Sequence, residues 1–268
     1  MDKMNSNLLE ICLQVSREAG KLILDLAKNP IQIDKKSAFD LVTNADKAAN
    51  DWITNKLLEL CPESRVLAEE GTEILTNPTL VQEPILWIVD PIDGTTNYAR
   101  GIPHAAVSIA AYDTQKKELL VGCVYNPFHQ ECFWASQNQG AFLNGKPIQV
   151  SPVSNLRDAI AASGYFNHEK ITYETSNLPQ TWAFLKNCLG LRRNGASSLD
   201  MCWVAMGRFD IYWEKGLKAW DLAAGVLIAQ EAGATVTNYQ GKPCDIFVGE
   251  VLASNGLVHA ESVRLINS

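Results

Sequence analysis

The chain has 268 residues and a net charge of −7, with 47% apolar and 20% charged residues. This composition is typical of a globular protein with a large core. The acidic balance, without a basic run, argues against nonspecific binding to nucleic acid. No stretch approaches the ~18 consecutive apolar residues of a membrane span, and the first residues do not form a signal peptide pattern. We therefore expect a cytoplasmic protein with neither a nucleic-acid nor a membrane partner.

The cysteines and histidines do not form a metal-binding or disulfide pattern. The seven cysteines are scattered and never form a C-x-x-C pair, which argues against a disulfide framework and a zinc site. The four histidines are widely spaced, so we expect them at the surface or in packing contacts. If the ligand of this acidic chain is anionic, a bound metal must reverse the local field.

Two amphipathic helices are predicted in the first quarter of the chain. Apolar residues recur at spacings of three and four over residues 5–28 and again over residues 43–61, which is the period of an α-helix with one buried face. A polar loop that contains Lys36 separates them. Thr43 begins the second helix and Asp46 occupies its third position, so Asp46 fits both a capping box and a catalytic role.

Two predicted strands end in carboxylates. Residues 65–68 form a short strand that is followed by Glu69, and a solvated turn would also explain that residue. Residues 87–98 read WIVDPIDGTTNY, an apolar strand that ends at Asp90 and Asp93. An ordinary turn between core strands would also explain this Pro-x-Asp-Gly segment.

The turn after this strand has the residue types of a cation and phosphate site. Pro91 fixes a tight turn that brings Asp90 and Asp93 to one side, as a divalent cation requires. Gly94 lets the backbone approach a ligand closely, and the amide and hydroxyl of Thr95 suit an oxyanion.

The remaining chain changes from β-rich to alternating structure. Residues 105–147 predict an antiparallel meander that ends in an Asn-Gly hairpin, and the composition shifts near residue 151. The second half alternates strands and helices, including a strand over residues 209–213 and an apolar helix over residues 221–232. Asp221 lies in the first turn of that helix, where an N-cap and a functional carboxylate are both plausible interpretations.

These segments together resemble the inositol monophosphatase family of Mg²⁺-dependent, lithium-sensitive phosphatases. Residues 87–98 match its first signature and residues 220–225, WDLAAG, match its second. Four further segments match in the expected order: LVTNAD at 41–46, AEE at 68–70, GAFLNG at 140–145 and RRNG at 192–195.

The resemblance implies one phosphatase domain over residues 1–268 with an α-β-α-β-α layered sandwich, an α+β or α/β fold of the inositol monophosphatase/fructose-1,6-bisphosphatase type. We place two lobes at about residues 1–150, with the metal and phosphate signature, and 151–268, on the substrate side. Homodimers are usual in the family.

The resemblance implies two or three Mg²⁺ ions as cofactor. The implied ligands are four carboxylates and one backbone carbonyl, those of Glu69, Asp90, Ile92, Asp93 and Asp221. Clustered carboxylates repel one another unless divalent ions neutralise them, and all-oxygen ligation suits Mg²⁺.

Catalytic and substrate-binding roles follow from the same resemblance. Thr95, hydrogen-bonded to Asp46, orients the attacking water with help from Glu69. The implied substrate-binding residues are Gly94, Thr95, Ser197 and Glu214. Ser197 is included because many relatives have alanine where this chain places a hydroxyl near the sugar pocket. Lys36 matches a mobile loop that completes the metal site.

The expected reaction is hydrolysis of a sugar-type phosphomonoester, first inositol 1-phosphate, without a phosphoenzyme. Other family substrates stay open: fructose 1,6-bisphosphate, L-galactose 1-phosphate, histidinol phosphate, NADP and 3′-phosphoadenosine 5′-phosphate. A haloacid-dehalogenase phosphatase would need an aspartate where Pro91 stands, and an EF-hand would need oxygen side chains at Ile92 and Gly94. A non-catalytic sensor of phosphorylated sugars is the remaining alternative.

Overall fold

The structure, a computed structural model, describes residues 3–35, 41–71, 83–165, 171–173 and 176–268. The helices in these ranges are α1 (Lys3–Leu26), α2 (Asn44–Leu60), α3 (Thr95–Ala99), α4 (Leu178–Asn187), α5 (Ser197–Ala205), α6 (Ala219–Glu231) and α7 (His259–Ile266). The strands are β1 (Ile33–Lys35), β2 (Leu41–Thr43), β3 (Ser64–Ala68), β4 (Ile85–Asp93), β5 (Ala106–Asp113), β6 (Glu118–Asn126), β7 (Glu131–Ser136), β8 (Ala141–Leu143), β9 (Lys146–Ile148), β10 (Ile160–Ser163), β11 (Gly190–Arg192), β12 (Ile211–Lys215), β13 (Thr235–Thr237) and β14 (Glu250–Ser254).

The strands form two large sheets and one small one. The seven-stranded sheet runs β3-β4-β5-β6-β7-β8-β9 and is antiparallel except for the parallel pair β3 and β4. The five-stranded sheet runs β11-β10-β12-β14-β13, with β10 parallel to both of its neighbours. Strands β1 and β2 form a separate antiparallel pair. The predicted meander and hairpin therefore account for most of the larger sheet.

Helices cover both sheets and fill the space between them. Helices α1 and α2 pack on the outer face of the seven-stranded sheet, and α5 and α6 lie between the two sheets. Helices α4 and α7 cover the outer face of the five-stranded sheet. The order of layers is α-β-α-β-α, which confirms the predicted fold.

The apolar patterns of two helices match their places in these layers. Helix α1 buries one stripe, which comprises Leu8, Cys12, Val15, Ala19 and Ile23. Helix α6 is apolar almost all round and buries nearly every residue after its first turn, because sheets face it on both sides. Helix α1 is amphipathic because only one of its faces is covered, whereas α6 is apolar on nearly all sides because both of its faces are covered.

Some predicted boundaries differ from the structure. The strand predicted over residues 209–213 is observed at Ile211–Lys215, so Glu214 lies inside a strand. The short strand β2 was not predicted. Lys36 lies outside the described residues. The predicted lobe division near residue 151 falls between the last strand of the larger sheet and the first strand of the smaller one, and it stays a prediction.

Among the described helices, none is long and apolar enough to cross a bilayer.

Candidate metal centre and active site

The centre of the site is a bulge at the end of β4. Asp90 pairs with Ser108 and Asp93 pairs with Ala106, so three steps on β4 face two steps on β5. One extra residue in a strand changes the direction of the side chains that follow it. The bulge therefore lets Asp90 and Asp93 share one side although they are three residues apart. The amide of Ile92 donates to Asp90 Oδ1 across 3.0 Å, which holds the turn.

Asp221 completes an acidic triad. A carboxylate oxygen from each of Asp90, Asp93 and Asp221 lies within 4.8 Å of the other two. Asp221 belongs to the first turn of α6, where the backbone amide of Lys218 donates to its Oδ2 across 2.6 Å. The hydroxyl of Ser108 donates to the carbonyl next to Asp221, that of Trp220, across 3.3 Å. This bond joins β5 and α6 at the triad.

Burial and mutual repulsion disfavour ionisation of the triad. Burial raises the pKa of Asp90 well above its usual range, and the charges of Glu69, Asp93 and Asp221 raise it further. Burial and the charge of Asp93 likewise raise the pKa of Asp221. Among the described residues, no salt bridge reaches any of the three carboxylates. The donor set is all oxygen and carries excess negative charge, which fits a hard divalent cation.

Glu69 lies beside the triad. It directly follows β3, and its amide donates to the carbonyl of Val89 across 3.2 Å, which fixes the backbone next to the end of β4. Its carboxylate is not one of the three tightly clustered groups, but its charge raises the pKa of both Asp90 and Asp221. The predicted ligand residue is therefore close to the triad.

The start of α5 holds the carboxylate of Asp93. The amide of Ser198 donates to Asp93 Oδ2 across 2.8 Å, and the Ser198 hydroxyl donates to the same oxygen. The amide of Ser197 donates to Oδ1 across 3.2 Å. Burial raises the pKa of Asp93, while the bonds from Ser198 lower it. Helix α5 thus stabilises Asp93 in its charged form.

Thr95 and Asp46 are in contact across 49 residues of sequence. The hydroxyl of Thr95 lies 3.2 Å from Asp46 Oδ1 and 3.1 Å from the carbonyl oxygen of Ile92. Asp46 Oδ2 accepts the amide of Thr43 across 2.8 Å, and the amide of Asp46 donates to Thr43 Oγ1 across 3.3 Å; these two bonds form the capping box of α2. The Thr43 hydroxyl also donates to Asp46 Oδ2. One carboxylate therefore caps a helix with one oxygen and contacts Thr95 with the other.

Gly94 allows close packing where the strand turns into α3. Its φ of 87° is left-handed, and a Cβ atom would lie 3.0 Å from the His104 carbonyl oxygen and 3.1 Å from that of Gly195. Asn97 donates to the carbonyls of His104 and Asn194 across 2.8 and 2.7 Å. These bonds hold the loop before α5 against the metal-site turn.

Glu214 lies in β12 near the acidic triad. The hydroxyl of Tyr212 donates to Glu214 Oε2 across 2.5 Å. Burial raises the pKa of Glu214 to about 7, the bond from Tyr212 lowers it, and the charges of Asp200 and Asp93 raise it. The carboxyl is buried yet within electrostatic reach of the site.

The sequence profile of the Inositol monophosphatase family matches residues 4–267. The chain belongs to the inositol monophosphatase family. It is 39% identical over 254 residues to the Inositol-1-monophosphatase of Synechocystis sp., which covers 94% of this chain and 86% of that protein. It is 40% identical over 250 residues to the Nus factor SuhB of Vibrio cholerae, which covers 92% of this chain and 91% of that protein.

The fold of this family member also matches solved structures. The extragenic suppressor protein suhB of Bartonella henselae superposes with a TM-score of 0.89 at 33% identity, covering 97% of this chain and 98% of that chain. The similarity therefore extends over nearly the whole length of both chains, beyond the two signature segments.

Within this inositol monophosphatase-family chain, the structure brings most predicted site residues together. The triad, Glu69 and the pair of Thr95 and Asp46 surround the end of β4. The Ser197 hydroxyl lies 3.5 Å from Asp93 Oδ1 and 3.4 Å from the Asp221 carbonyl oxygen, and its contact with substrate stays a prediction.

Sequence reasoning did not identify Ser198 or Tyr212. A hydroxyl at residue 198 was visible in the same segment as Ser197, but its contact with Asp93 requires two segments 105 residues apart to meet. Tyr212 had a clearer signal, because residues two apart on a strand share a face and Glu214 was already a candidate.

Proposed function

We propose that this protein is a Mg²⁺-dependent phosphomonoesterase that hydrolyses inositol 1-phosphate to myo-inositol and phosphate. The observation that carries this proposal is the buried triad of Asp90, Asp93 and Asp221 beside the hydrogen-bonded pair of Thr95 and Asp46. A site for ions alone would have no need of a hydroxyl and a second carboxylate arranged to handle a proton.

The carboxylates of Glu69, Asp90, Asp93 and Asp221 and the carbonyl of Ile92 would hold two or three Mg²⁺ ions. When bound, these ions supply the charge that attracts phosphate, lowers the pKa of water and offsets charge on the leaving oxygen. The carboxylate of Asp93 is oriented before metal binds, because the first residues of α5 donate hydrogen bonds to it.

In the proposed mechanism, the protein moves the proton of the attacking water. Thr95 donates its own proton to Asp46 Oδ1, so Thr95 Oγ1 is left to accept a hydrogen bond from the water. Water attacks phosphorus in line as the bond to the alcohol oxygen breaks. The carboxylates of Glu69 and Asp46 take up the proton that the attacking water loses, and the leaving alcohol oxygen takes a proton from bulk water. No side chain forms a bond to phosphorus.

We propose that the substrate lies between the end of β4 and β12. The amides of Gly94 and Thr95 bind the phosphate, and Glu214 and Ser197 face the alcohol. A carboxylate that is buried with one oxygen bonded to Tyr212 suits a fixed hydroxyl of a ring polyol. The sugar-like alcohol is therefore recognised by hydrogen bonds to its hydroxyls.

The name of the Synechocystis relative supports inositol 1-phosphate, whereas the name of the Vibrio relative describes a Nus factor. The two relatives are almost equally similar to this chain, at 39% and 40% identity, so sequence identity does not favour the function in one name over that in the other. The alternatives are therefore the other family substrates: fructose 1,6-bisphosphate, L-galactose 1-phosphate, histidinol phosphate, NADP and 3′-phosphoadenosine 5′-phosphate. A sensor without catalysis is the alternative outside enzymes.

A phosphate-release panel over these six compounds tests the proposal. We expect turnover that requires Mg²⁺, that lithium inhibits, and that is fastest for inositol 1-phosphate. Preference for another compound replaces the substrate, and the absence of turnover of every compound by the folded, Mg²⁺-loaded protein overturns the enzymatic function.

We also propose that the protein is a homodimer. Helix α4 and the segment just after it carry exposed apolar side chains at spacings of three and four: Leu178, Trp182, Leu185 and Leu189 are 46%, 54%, 54% and 70% exposed. Such contiguous patches are typical of interaction surfaces. Light scattering after size exclusion should give twice the chain mass of 29.5 kDa, and Leu185→Glu should halve it. A monomeric wild-type protein would contradict the proposal.

A cytoplasmic location is supported by the state of the cysteines. All seven are free thiols in the structure, as is usual in reducing compartments. Cell fractionation with an antibody against the protein would test this location.

A further inference from the structure

Glu214 is held at one of its two carboxylate oxygens. Tyr212 and Glu214 are two residues apart on β12 and therefore share a face of the sheet. Tyr212 is 0% exposed, and its hydroxyl donates to Glu214 Oε2 across 2.5 Å. Among the described residues, no hydrogen-bond donor reaches Oε1. One oxygen is therefore committed to the protein and the other is available to a ligand.

Gly164 provides the space that the carboxyl group occupies. Strands β10 and β12 are parallel, and Ser163 at the end of β10 is paired with Trp213. Gly164 directly follows Ser163 and Glu214 directly follows Trp213, so the two residues are neighbours. A Cβ atom at Gly164 would lie 1.9 Å from Glu214 Oε2 and 2.2 Å from Oε1. The backbone at Gly164 is not in the left-handed region. The glycine is therefore required for space and not for a turn.

The position of Gly164 is itself fixed by buried groups. Its carbonyl accepts the side-chain amide of Asn177 across 2.7 Å and the hydroxyl of Ser163 across 3.1 Å. Tyr239 in turn donates to Asn177 Oδ1 across 3.1 Å. Asn177 and Tyr239 are 2% and 5% exposed. The surface beneath Glu214 is therefore a connected buried network and not a mobile loop.

We propose that Tyr212 and Gly164 are positioning residues that direct Glu214 Oε1 toward a substrate hydroxyl, and that they determine specificity for phosphomonoesters of polyols over those without an aliphatic hydroxyl. This inference rests on the proposed function. Tyr212 prevents rotation of the carboxyl group by holding Oε2, and Gly164 leaves no other side chain in its place. Neither residue touches the substrate or the triad.

The test compares two substrates in Tyr212→Phe, which removes only the hydroxyl. Inositol 1-phosphate carries hydroxyls next to the ester carbon, whereas 4-nitrophenyl phosphate has none. We expect the KM for inositol 1-phosphate to rise about tenfold, since a hydrogen bond to a charged group is lost or misplaced. The kcat, the KM for 4-nitrophenyl phosphate and the Mg²⁺ affinity by calorimetry should stay within about twofold, because the lost interaction with the substrate hydroxyl is equally strong in the ground state and the transition state.

Gly164→Ala is the second variant. Its added methyl group displaces the Glu214 carboxyl group, whereas Tyr212→Phe removes the hydrogen bond that holds that group. Gly164→Ala should raise the KM for inositol 1-phosphate selectively in the same way. Tyr98→Phe is the matched control, because it removes a buried tyrosine hydroxyl that donates to the Ile23 carbonyl across 2.7 Å. The ratio of the two KM values should not change in this control.

Equal changes for both substrates, or no change for either, in Tyr212→Phe and Gly164→Ala would overturn the inference. If the wild-type protein hydrolyses neither compound, the proposed function fails separately. In that case, calorimetry measures the binding of inositol 1-phosphate, which has ring hydroxyls, and of inorganic phosphate, which has none, to the Mg²⁺-loaded wild type and variants. A loss of affinity confined to inositol 1-phosphate supports the inference, and an equal loss for both ligands overturns it.

Discussion

The hydroxyl and the amide of Ser198 both donate to Oδ2 of Asp93. Asp93 is 5% exposed, so water does not provide these bonds in place of the serine. The two residues are 105 positions apart, and their contact joins the start of α5 to the end of β4. Oδ2 accepts both bonds from Ser198, whereas Oδ1 accepts a longer bond from the Ser197 amide, across 3.2 Å, so we expect a cation to bind at Oδ1.

Ser198→Ala should therefore weaken Mg²⁺ binding. Loss of a residue that orients a metal ligand costs about 10- to 100-fold in affinity or activity, and the retained amide bond places this variant at the lower end. Calorimetric titration with Mg²⁺ measures the change. Ser262→Ala is the control, since it removes a buried hydroxyl that donates to the Val258 carbonyl across 2.8 Å in α7. Equal Mg²⁺ affinity in both variants would contradict this role of Ser198.

Thr95→Ala and Asp93→Asn should separate water activation from metal binding. Thr95→Ala removes the hydroxyl next to Asp46, and we expect kcat to fall by about 10²- to 10⁴-fold while most of the Mg²⁺ affinity is kept. Asp93→Asn should lose both together. Thr95→Ser restores the hydroxyl and should recover most of the activity. A near-normal kcat in Thr95→Ala would show that another group activates the water.

Removal of Mg²⁺ should lower the melting temperature, and more so at high pH. The raised pKa values of Asp90 and Asp221 mean that the folded, metal-free protein keeps protons that the unfolded chain loses near about pH 3.9. Stability without metal is therefore lost as the pH rises through the raised pKa values. Thermal melts with EDTA and with Mg²⁺, taken over a series of pH values, should differ more as the pH rises. A difference that shrinks with rising pH would contradict this account.

His259 should make the protein less stable in mild acid. Its ring nitrogens are bonded to the hydroxyls of Thr237 and Ser254 across 3.0 and 2.9 Å, and burial lowers its pKa. A lowered pKa means that the unfolded chain binds the proton first, so stability is lost as the pH falls below about 6.5. The loss is at most about 1.4 kcal/mol per pH unit.

Urea unfolding of wild type and His259→Gln in the same EDTA buffers measures this contribution. The carboxylates of the triad are common to both proteins, so the difference in slope isolates His259. We expect the variant to have the shallower dependence between about pH 7 and pH 5.5. Identical slopes would show that the histidine does not titrate differently in the two states.

Much of the site was predictable because each acid ends a strand or begins a helix. Asp46 and Asp221 were ambiguous from sequence, since both fitted a helix cap. The structure shows that the cap is present in both cases: Thr43 donates to Asp46, and the Lys218 amide donates to Asp221. A carboxylate has two oxygens, so the capping and functional interpretations did not exclude each other.

The groups that sequence reasoning missed depend on long-range pairing. The space for Glu214 exists because β10 lies beside β12, and that register joins residues 50 apart. The predicted strand also ended at residue 213, before Glu214, whereas β12 continues through Lys215. Local periodicity specifies which residues share a face, but it does not specify which strand is the neighbour.

The bulge in β4 contains Ile92, whose backbone carbonyl we propose as a metal ligand. Ile92 is fully buried and is not paired with β5; its amide donates to Asp90, and its carbonyl oxygen lies 3.1 Å from the Thr95 hydroxyl. No side-chain substitution removes a carbonyl oxygen. Deleting one residue of the bulge would leave both aspartates two apart on one face and would return the backbone between them to the regular pairing with β5. We therefore expect metal binding to depend on the number of residues in this turn as well as on their identity.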